Sequence, residues 1–223
     1  MALFYHKLIE NISFKCYNHY VYKEDSSIKK IPVGISGRHL HLTQEHLEIL
    51  FGQGYQLTVM KELTQPGQYA AEEKVDVISP EGKLLAGVRI LGPVRPASQV
   101  EISKSDALRF KFVAPVRSSG DVKGSGAATL VGPKGQVTIN EGVIIADRHI
   151  HFSIEEAKEF GVVDRQMVSI KVGGIKPGIL DNVLCRVHAQ FRLDCHLDTD
   201  DGSAFMLSTG DEVELVKSYT INA

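Results

Sequence analysis

The chain has 223 residues, of which 43% are hydrophobic and 23% charged, with a formal net charge of −2 and a pI near 6.5. This composition is typical of a globular protein and lacks the basic character of a nucleic-acid-binding protein. No apolar run approaches the ~20 residues of a membrane span, the amino terminus lacks the pattern of a secretory signal, and the three cysteines are irregularly spaced. We therefore expect a cytoplasmic protein that binds neither nucleic acid nor a membrane.

Residues 1–30 differ from the rest of the chain. Apolar side chains follow helical spacing from Leu3 to Ile12, and a polar linker ends the segment at Lys30. The pattern fits a helix that packs on the domain. It also fits a detachable amphipathic helix that docks on a partner.

The next stretch carries a pair of histidines. The apolar, β-branched run at residues 31–35 predicts a strand that ends at His39 and His41, and Thr43 is placed to cap a helix over Gln44–Phe51. Residues two apart in a strand face the same side, so both imidazoles can bind one ion.

A second copy of this pattern lies 110 positions further on, at His149 and His151. There Ser153 and Glu156 form the sequence of a capping box at the start of a helix over Ile154–Phe160. One His-x-His pair is weak evidence for metal binding, because such histidines are often surface or core residues. Two copies in matching strand-to-helix contexts indicate an internal duplication of a metal site.

Each half offers a third ligand on a later strand. Val100 faces the core in the first half and Cys195 in the second, so alternation leaves Glu101 and His196 on the opposite faces. The same alternation turns Cys195 away from a nucleophilic role. Sites with three protein ligands keep a coordination position open for catalysis, and these donors suit Zn²⁺, although Co²⁺, Mn²⁺ and Fe²⁺ fit them too.

Two further features have alternative interpretations. The Gly-rich stretch at residues 117–126 either offers backbone N–H groups to an anion or is a plain hairpin connection, and it is not a Walker A loop. Its candidate binding residues are Ser119, Gly120, Gly124 and Ser125. Arg95, in a Pro-flanked turn, is placed either to bind an anionic substrate or to be a surface charge.

Strand-rich halves with few long helices predict a mainly β fold with short capping helices, built as two similar small β-barrel domains from an internal duplication. We expect an amino-terminal extension at 1–30, the first barrel half at 31–115, a Gly-rich connection with strands at 116–140, and the second barrel half at 141–223.

Across roughly residues 31 to 216, the chain resembles phosphate propanoyltransferases, the phosphotransacylases of bacterial microcompartments. The resemblance is carried by motifs at Val33–Leu42, Gln65–Glu72, Leu91–Arg95, Ser98–Ser103, Ala146–His151 and His196–Asp200. It implies two β-barrel domains and the reaction acyl-CoA + phosphate ⇌ acyl phosphate + CoA, with propanoyl-CoA or acetyl-CoA as substrate.

The resemblance also implies a site with two divalent ions, usually zinc, and CoA in the cleft between the barrels. One ion would be held by His39, His41 and Glu101, the other by His149, His151 and His196, and Arg95 would bind phosphate. A homodimer or higher oligomer is implied, as is an encapsulation helix within residues 1–30 that would place the enzyme in a microcompartment lumen.

Two other functions are compatible with the same donors. A dinuclear metal hydrolase would use the ions to activate water against acyl-CoA. A metal-stabilised scaffold or sensor module would bind the ions without turnover.

Overall fold

The computed structural model describes residues 29–216, so the helix expected between Leu3 and Ile12 lies outside the described residues. The strands in this part of the chain are β1 (Lys30–Ser36), β2 (His39–His41), β3 (Val59–Glu62), β4 (Tyr69–Ile78), β5 (Leu84–Gly92), β6 (Gln99–Glu101), β7 (Val116–Arg117), β8 (Gly126–Val131), β9 (Gln136–Ala146), β10 (His149–Phe152), β11 (Met167–Val172), β12 (Gly178–Val187), β13 (Asp194–Asp198) and β14 (Glu212–Val216). The helices are α1 (Gln44–Phe51), α2 (Lys104–Phe110), α3 (Ile154–Phe160) and α4 (Thr199–Phe205).

The strands close into two six-stranded barrels. The first barrel runs β2-β5-β4-β8-β9-β6 and returns to β2, with β3 added on β4 and β7 on β9. The second barrel runs β10-β12-β11-β14-β1-β13 and returns to β10. The parallel and antiparallel pairings repeat in the same order around both rings. The predicted fold class, two similar β-barrels from a duplication, is confirmed.

The two barrels exchange one strand each. β1 lies in the second barrel, where it pairs in parallel with β13, and β9 lies in the first barrel, where it pairs in parallel with β6. The sheets therefore divide the chain differently from the boundaries expected from the sequence. Those boundaries follow chain order and assign β1 to the first half. Only the long-range pairing of a strand, which no local pattern records, determines its barrel.

This exchange places both histidine pairs at the contact between the barrels. Two-residue connections, Gly37-Arg38 and Asp147-Arg148, carry the chain from one barrel to the other immediately before each pair. The prediction that each pair ends the preceding strand is wrong: β2 and β10 are new, short strands that begin with the first histidine. The apolar residue between each pair, Leu40 or Ile150, is fully buried in the core of its own barrel.

The four helices found between residues 29 and 216 follow directly on strands that carry candidate ligands. The side chain of each N-cap residue accepts a hydrogen bond from the backbone N–H of the residue three positions later, as N-caps do. The N-cap residues are Thr43, Ser103, Ser153 and Asp198. The capping box predicted at Ser153 and Glu156 is present. Each ligand strand is thus fixed at its carboxyl end by a capped helix of seven or eight residues. None of the helices within residues 29–216 is long and apolar enough to cross a membrane.

Candidate metal centre between the barrels

The six side chains predicted as metal ligands form two clusters of three. One contains His39, His41 and Glu101 and the other His149, His151 and His196; within each, the potential ligand atoms all lie within 4.8 Å of one another. Strand register explains the third member. Glu101 on β6 is directly opposite His39, and His196 on β13 is directly opposite His149. We call these the carboxylate cluster and the imidazole cluster.

The histidines of the carboxylate cluster are oriented by backbone carbonyls. Nδ1 of His39 lies 2.9 Å from the carbonyl oxygen of Gly37, and Nδ1 of His41 lies 3.0 Å from that of Leu91. A carbonyl only accepts hydrogen bonds, so each Nδ1 carries the proton and, in the neutral ring, Nε2 keeps a free lone pair. This arrangement is the one that orients metal-binding histidines in proteins.

The imidazole cluster is held in a similar way but with one difference. Nδ1 of His149 donates to the carbonyl oxygen of Asp147 at 2.7 Å, whereas Nε2 of His196 donates to the buried carboxylate of Asp194 at 3.0 Å. Nδ1 of His151 is buried without a hydrogen-bond partner. A buried polar atom left in this state costs about 1–3 kcal/mol, so its presence beside two other imidazoles fits a site built for a cation.

Glu101 is held by polar neighbours. The hydroxyl of Ser119 donates to its Oε1 at 2.7 Å, and the side-chain amide of Gln99 donates to the same oxygen. Ser119 also accepts a hydrogen bond of 3.2 Å from Nη1 of Arg95. The predicted phosphate-binding arginine and the predicted carboxylate ligand therefore belong to one hydrogen-bond network.

Burial and neighbouring charges favour the ligating forms of His41, His149, His151 and Glu101, but not that of His39. Burial lowers the pKa of His41 to about 3, of His149 to about 4 and of His151 to about 2, with repulsion between neighbouring histidines adding to the effect. Burial opposes the charged forms of His39 and Glu101, but their mutual attraction outweighs it, raising the pKa of His39 and lowering that of Glu101. Metal ligands must be deprotonated, so an ion bound at the carboxylate cluster would release the His39 proton.

Both clusters line one cavity of about 560 Å³ between the barrels. Arg95 and Arg186 line it as well, and burial lowers the pKa of both guanidinium groups, with their mutual repulsion adding to the effect at Arg95. Two poorly solvated guanidinium groups of like charge are stabilised by an anion placed near them, and their forked donors match a phosphate. The cavity combines cation-binding and anion-binding surfaces.

Sequence reasoning missed three side chains that line this cavity, Arg186, Phe191 and Asp194, and one that donates to a candidate ligand, Gln99. Arg186 stands beside His151 across the β10–β12 pair. The ring of Phe191 packs edge-on against that of His151, with 4.4 Å between the ring centroids. Gln99 lies two residues before Glu101 on β6 and donates to its carboxylate. The alternation of side chains on β13 places Asp194 on the same face as His196, so the sequence could have predicted its role. No local signal marks Arg186 or Phe191, because Arg186 reaches the ligands through long-range strand pairing and Phe191 through a turn.

The Gly-rich loop contributes one residue to the cavity. Ser119 lines it, whereas the N–H groups of Gly120 and Gly124 donate to the side chains of Gln99 and Glu141. Ser125 donates to the carbonyl oxygen of Val122 and accepts from the N–H of Gly142. The loop's backbone donors are thus used within the protein, and its contact with CoA stays a prediction.

Cys195 is fully buried in the core of the second barrel, and burial strongly raises the pKa of its thiol, with the charge of Asp194 adding to the shift. A thiol in this environment is a poor nucleophile because the thiolate is the reactive form. The prediction that strand alternation turns Cys195 away from the site is confirmed.

A family model described as phosphate propanoyltransferase matches residues 32–208. The phosphate propanoyltransferase of Thermotoga maritima is 50% identical over 188 residues, which cover 84% of this chain and 89% of that protein. The enzymes of the same name from Lachnoclostridium phytofermentans and Priestia megaterium are 46% and 48% identical over 83% and 81% of this chain, and 87% and 83% of their own lengths. These matches bear out the resemblance found in the sequence motifs: the chain belongs to the phosphate propanoyltransferase family.

Proposed function

We propose that this chain transfers a short acyl group, propanoyl or acetyl, between CoA and inorganic phosphate: acyl-CoA + phosphate ⇌ acyl phosphate + CoA. The observation that carries the proposal is the convergence of two three-ligand clusters and two arginines on one cavity, in a member of this family. An acyl transfer to phosphate needs an anion-binding surface for the phosphate and a cation-holding surface for the reacting thioester, side by side in one cavity.

We infer that the two clusters hold two divalent ions, most readily zinc given their imidazole and carboxylate donors. Each cluster supplies three protein ligands, which leaves coordination positions for substrate. Ions in these positions would polarise the reacting oxygens and stabilise a departing thiolate.

The arginines supply the phosphate site in this proposal. Arg95 is fixed at its backbone, where its N–H donates to the carbonyl oxygen of Leu42 at 2.8 Å, and at its side chain by Ser119. Arg186 extends from β12 into the same cavity. Together they would hold a phosphate dianion in place against the thioester. Their fixed donors would replace the water that hydrates the phosphate, and the fixed position would remove the entropic cost of bringing the two reactants together.

The reaction then needs no nucleophile from the protein. A phosphate oxygen attacks the thioester carbon, the new C–O bond forms, the C–S bond breaks, and the phosphate proton ends on the CoA thiol. This direct transfer agrees with the burial of Cys195. It also agrees with the pKa of the Cys185 thiol, which burial raises to about 11.

The cavity between the barrels is the proposed place for the reacting end of CoA. We further propose that the protein acts in the cytoplasm as a homodimer or higher oligomer, and that residues 1–30 attach it to a microcompartment shell. Deletion of residues 1–30 is expected to leave turnover unchanged and to abolish co-purification with shells.

The test is an assay of CoA release and acyl phosphate formation from propanoyl-CoA and acetyl-CoA, with and without phosphate. We expect release only with phosphate, one acyl phosphate for each CoA. Arg95→Ala should raise the KM for phosphate and lower kcat, because the anion loses a fixed charged donor. Arg109→Ala, an exposed arginine outside the cavity, is the matched control.

Release of CoA at the same rate without phosphate would instead favour the hydrolase. Unfolding on metal removal, together with no turnover by the metal-loaded protein, would favour the scaffold. An unchanged phosphate dependence in Arg95→Ala would remove that residue from the phosphate site.

A further inference from the structure

We propose that Phe191 is the wall that limits the length of the acyl chain accepted by the cavity. The inference rests on the proposed acyl transfer and concerns the substrate range of that same site. It is carried by the position of one ring, by what adjoins that ring, and by how the ring is fixed.

The ring of Phe191 adjoins the groups around which the thioester must react. Its centroid lies 4.4 Å from that of His151, in an edge-on arrangement, and the guanidinium carbon of Arg186 lies 5.9 Å from it. Among the described residues that line the cavity, it is the only aromatic side chain other than the histidines. An acyl chain bound with its carbonyl near the imidazole cluster and a phosphate on Arg186 therefore meets this apolar face.

A second depression adjoins Phe191. It is lined by Pro66 and Gly67 from the first barrel and by Ala189, Gln190 and Arg192 from the second. Within residues 29–216, Phe191 is the one residue that lines both this depression and the main cavity. In this proposal the ring is the partition between them, so its removal would extend the acyl site into the depression.

The partition is held from both barrels. The N–H of Phe191 donates to the carbonyl oxygen of His188 at 3.0 Å, which closes a turn. The side-chain amide of Gln65, only 3% exposed, pairs with the backbone of Arg192. It donates to the carbonyl oxygen at 2.8 Å and accepts from the N–H at 3.2 Å. These bonds fix the backbone at Phe191 and at the residue after it, so they hold the base of the ring in place against the first barrel.

A rigid apolar wall discriminates chain lengths strongly. One methylene too many in a closed pocket typically changes kcat/KM by about 10–200-fold, because either the chain or the wall must move. Opening the wall should remove this penalty for long chains and also remove some contact with short ones.

The experiment compares kcat/KM for acetyl-, propanoyl-, butanoyl- and hexanoyl-CoA at saturating phosphate in the wild type, Phe191→Leu and Phe191→Ala. We expect the hexanoyl-to-propanoyl ratio to rise by about tenfold or more in Phe191→Ala and by less in Phe191→Leu. Adding Ala189→Phe to Phe191→Ala refills the depression and should restore the wild-type ratio. The control is Phe51→Ala, because the ring of Phe51 stacks on Tyr55 and does not line the cavity. This variant should leave the ratio unchanged.

An unchanged ratio in Phe191→Ala that still turns over propanoyl-CoA would overturn the inference. If this variant is folded but inactive, the dissociation constants of hexanoyl-CoA and propanoyl-CoA are measured by calorimetry without phosphate, and their ratio is compared with that of the wild type. If hexanoyl-CoA gains no affinity relative to propanoyl-CoA, the inference is overturned as well. A wild type that forms no acyl phosphate would refute the proposed function, whatever Phe191 does.

Discussion

The carboxylate cluster and the imidazole cluster occupy equivalent positions in two barrels of the same topology, yet they differ in charge. The carboxylate cluster contains one anionic ligand, whose oxygen is held by Ser119 and Gln99. The imidazole cluster contains no carboxylate ligand; Asp194 is one step removed, as the hydrogen-bond partner of His196. A divalent ion bound by three imidazoles would keep more of its positive charge than one bound by two imidazoles and a carboxylate. The larger charge favours an anion as the further ligand of that ion.

The difference shows how a duplicated scaffold acquires two roles. Strand register keeps the third ligand opposite the first histidine in both barrels, so the position is fixed by the fold. The residue at that position differs between the barrels, and so do its hydrogen-bond partners. We therefore expect the imidazole cluster to act mainly on the phosphate and the thioester carbonyl oxygen, and the carboxylate cluster to act mainly on the thioester sulfur.

The largest expected effect comes from breaking either cluster. His39→Ala and His149→Ala should each lower kcat/KM by at least about 10²–10³-fold, the loss typical of removing a preorganised electrostatic contact. Metal analysis should show the loss of one ion per chain in each variant. His46→Ala, a histidine outside both clusters that bonds to Ser98, is the control. Near-normal activity in either cluster variant would refute the two-ion site.

The second expected effect comes from removing the asymmetry itself. Glu101→His would give both barrels three imidazoles and would leave Ser119 and Gln99 without their carboxylate acceptor. We expect two bound ions and a kcat/KM lowered by roughly 10–100-fold, the range seen when the shell around a metal is disturbed. Metal content and steady-state kinetics measured on the same preparation check both parts. Wild-type turnover would show that the difference in charge has no catalytic consequence.

A smaller effect is expected from the groups that hold the third ligands. Asp194→Asn removes the charge that orients His196, so the imidazole cluster should bind zinc about 10–100-fold more weakly. Ser119→Ala should weaken the carboxylate cluster by less, because Gln99 still donates to Glu101. Competition with a chromogenic chelator, fitted to two sites, distinguishes the clusters. Equal weakening of both sites in either variant would contradict the assignment of these groups to separate clusters.

The local parts of this design could be predicted from the sequence. Alternation in short strands placed Glu101 and His196 on the faces opposite their buried neighbours, and the capping sequence at Ser153 located the start of α3. The motifs also identified the family, which supplied the pairing of ligands with ions. These signals were sufficient because each depends on residues close together in the chain.

The parts that depend on long-range pairing could not be predicted. Nothing within residues 31–35 records that β1 joins the second barrel, because its partners β13 and β14 come more than 150 residues later. Arg186 and Phe191 reach the cavity through the same kind of contact, one across a strand pair and the other through a turn. A sequence pattern gives the face of a strand but not the strand beside it.

The smallest expected effect concerns the arginine that precedes each histidine pair. Arg148 binds both carboxylate oxygens of Asp201, at 2.7 and 2.9 Å, and also donates to the carbonyl oxygen of Asp181 at 3.0 Å. Arg38 makes one contact of 2.9 Å with Asp106. Both arginine side chains are partly exposed, so we expect Arg148→Ala to lower the free energy of unfolding by about 1 kcal/mol and Arg38→Ala by about half of that.

Urea unfolding at saturating zinc measures both losses, and Arg148→Lys, which keeps the charge but not the fork, should fall between the wild type and Arg148→Ala. The opposite order is the informative failure. Asp106 is more buried than Asp201, with 9% of its side chain exposed against 19%. If Arg38→Ala costs more, the penalty of leaving a buried carboxylate without its partner outweighs the number of hydrogen bonds lost, and the first barrel, not the second, depends more on its arginine.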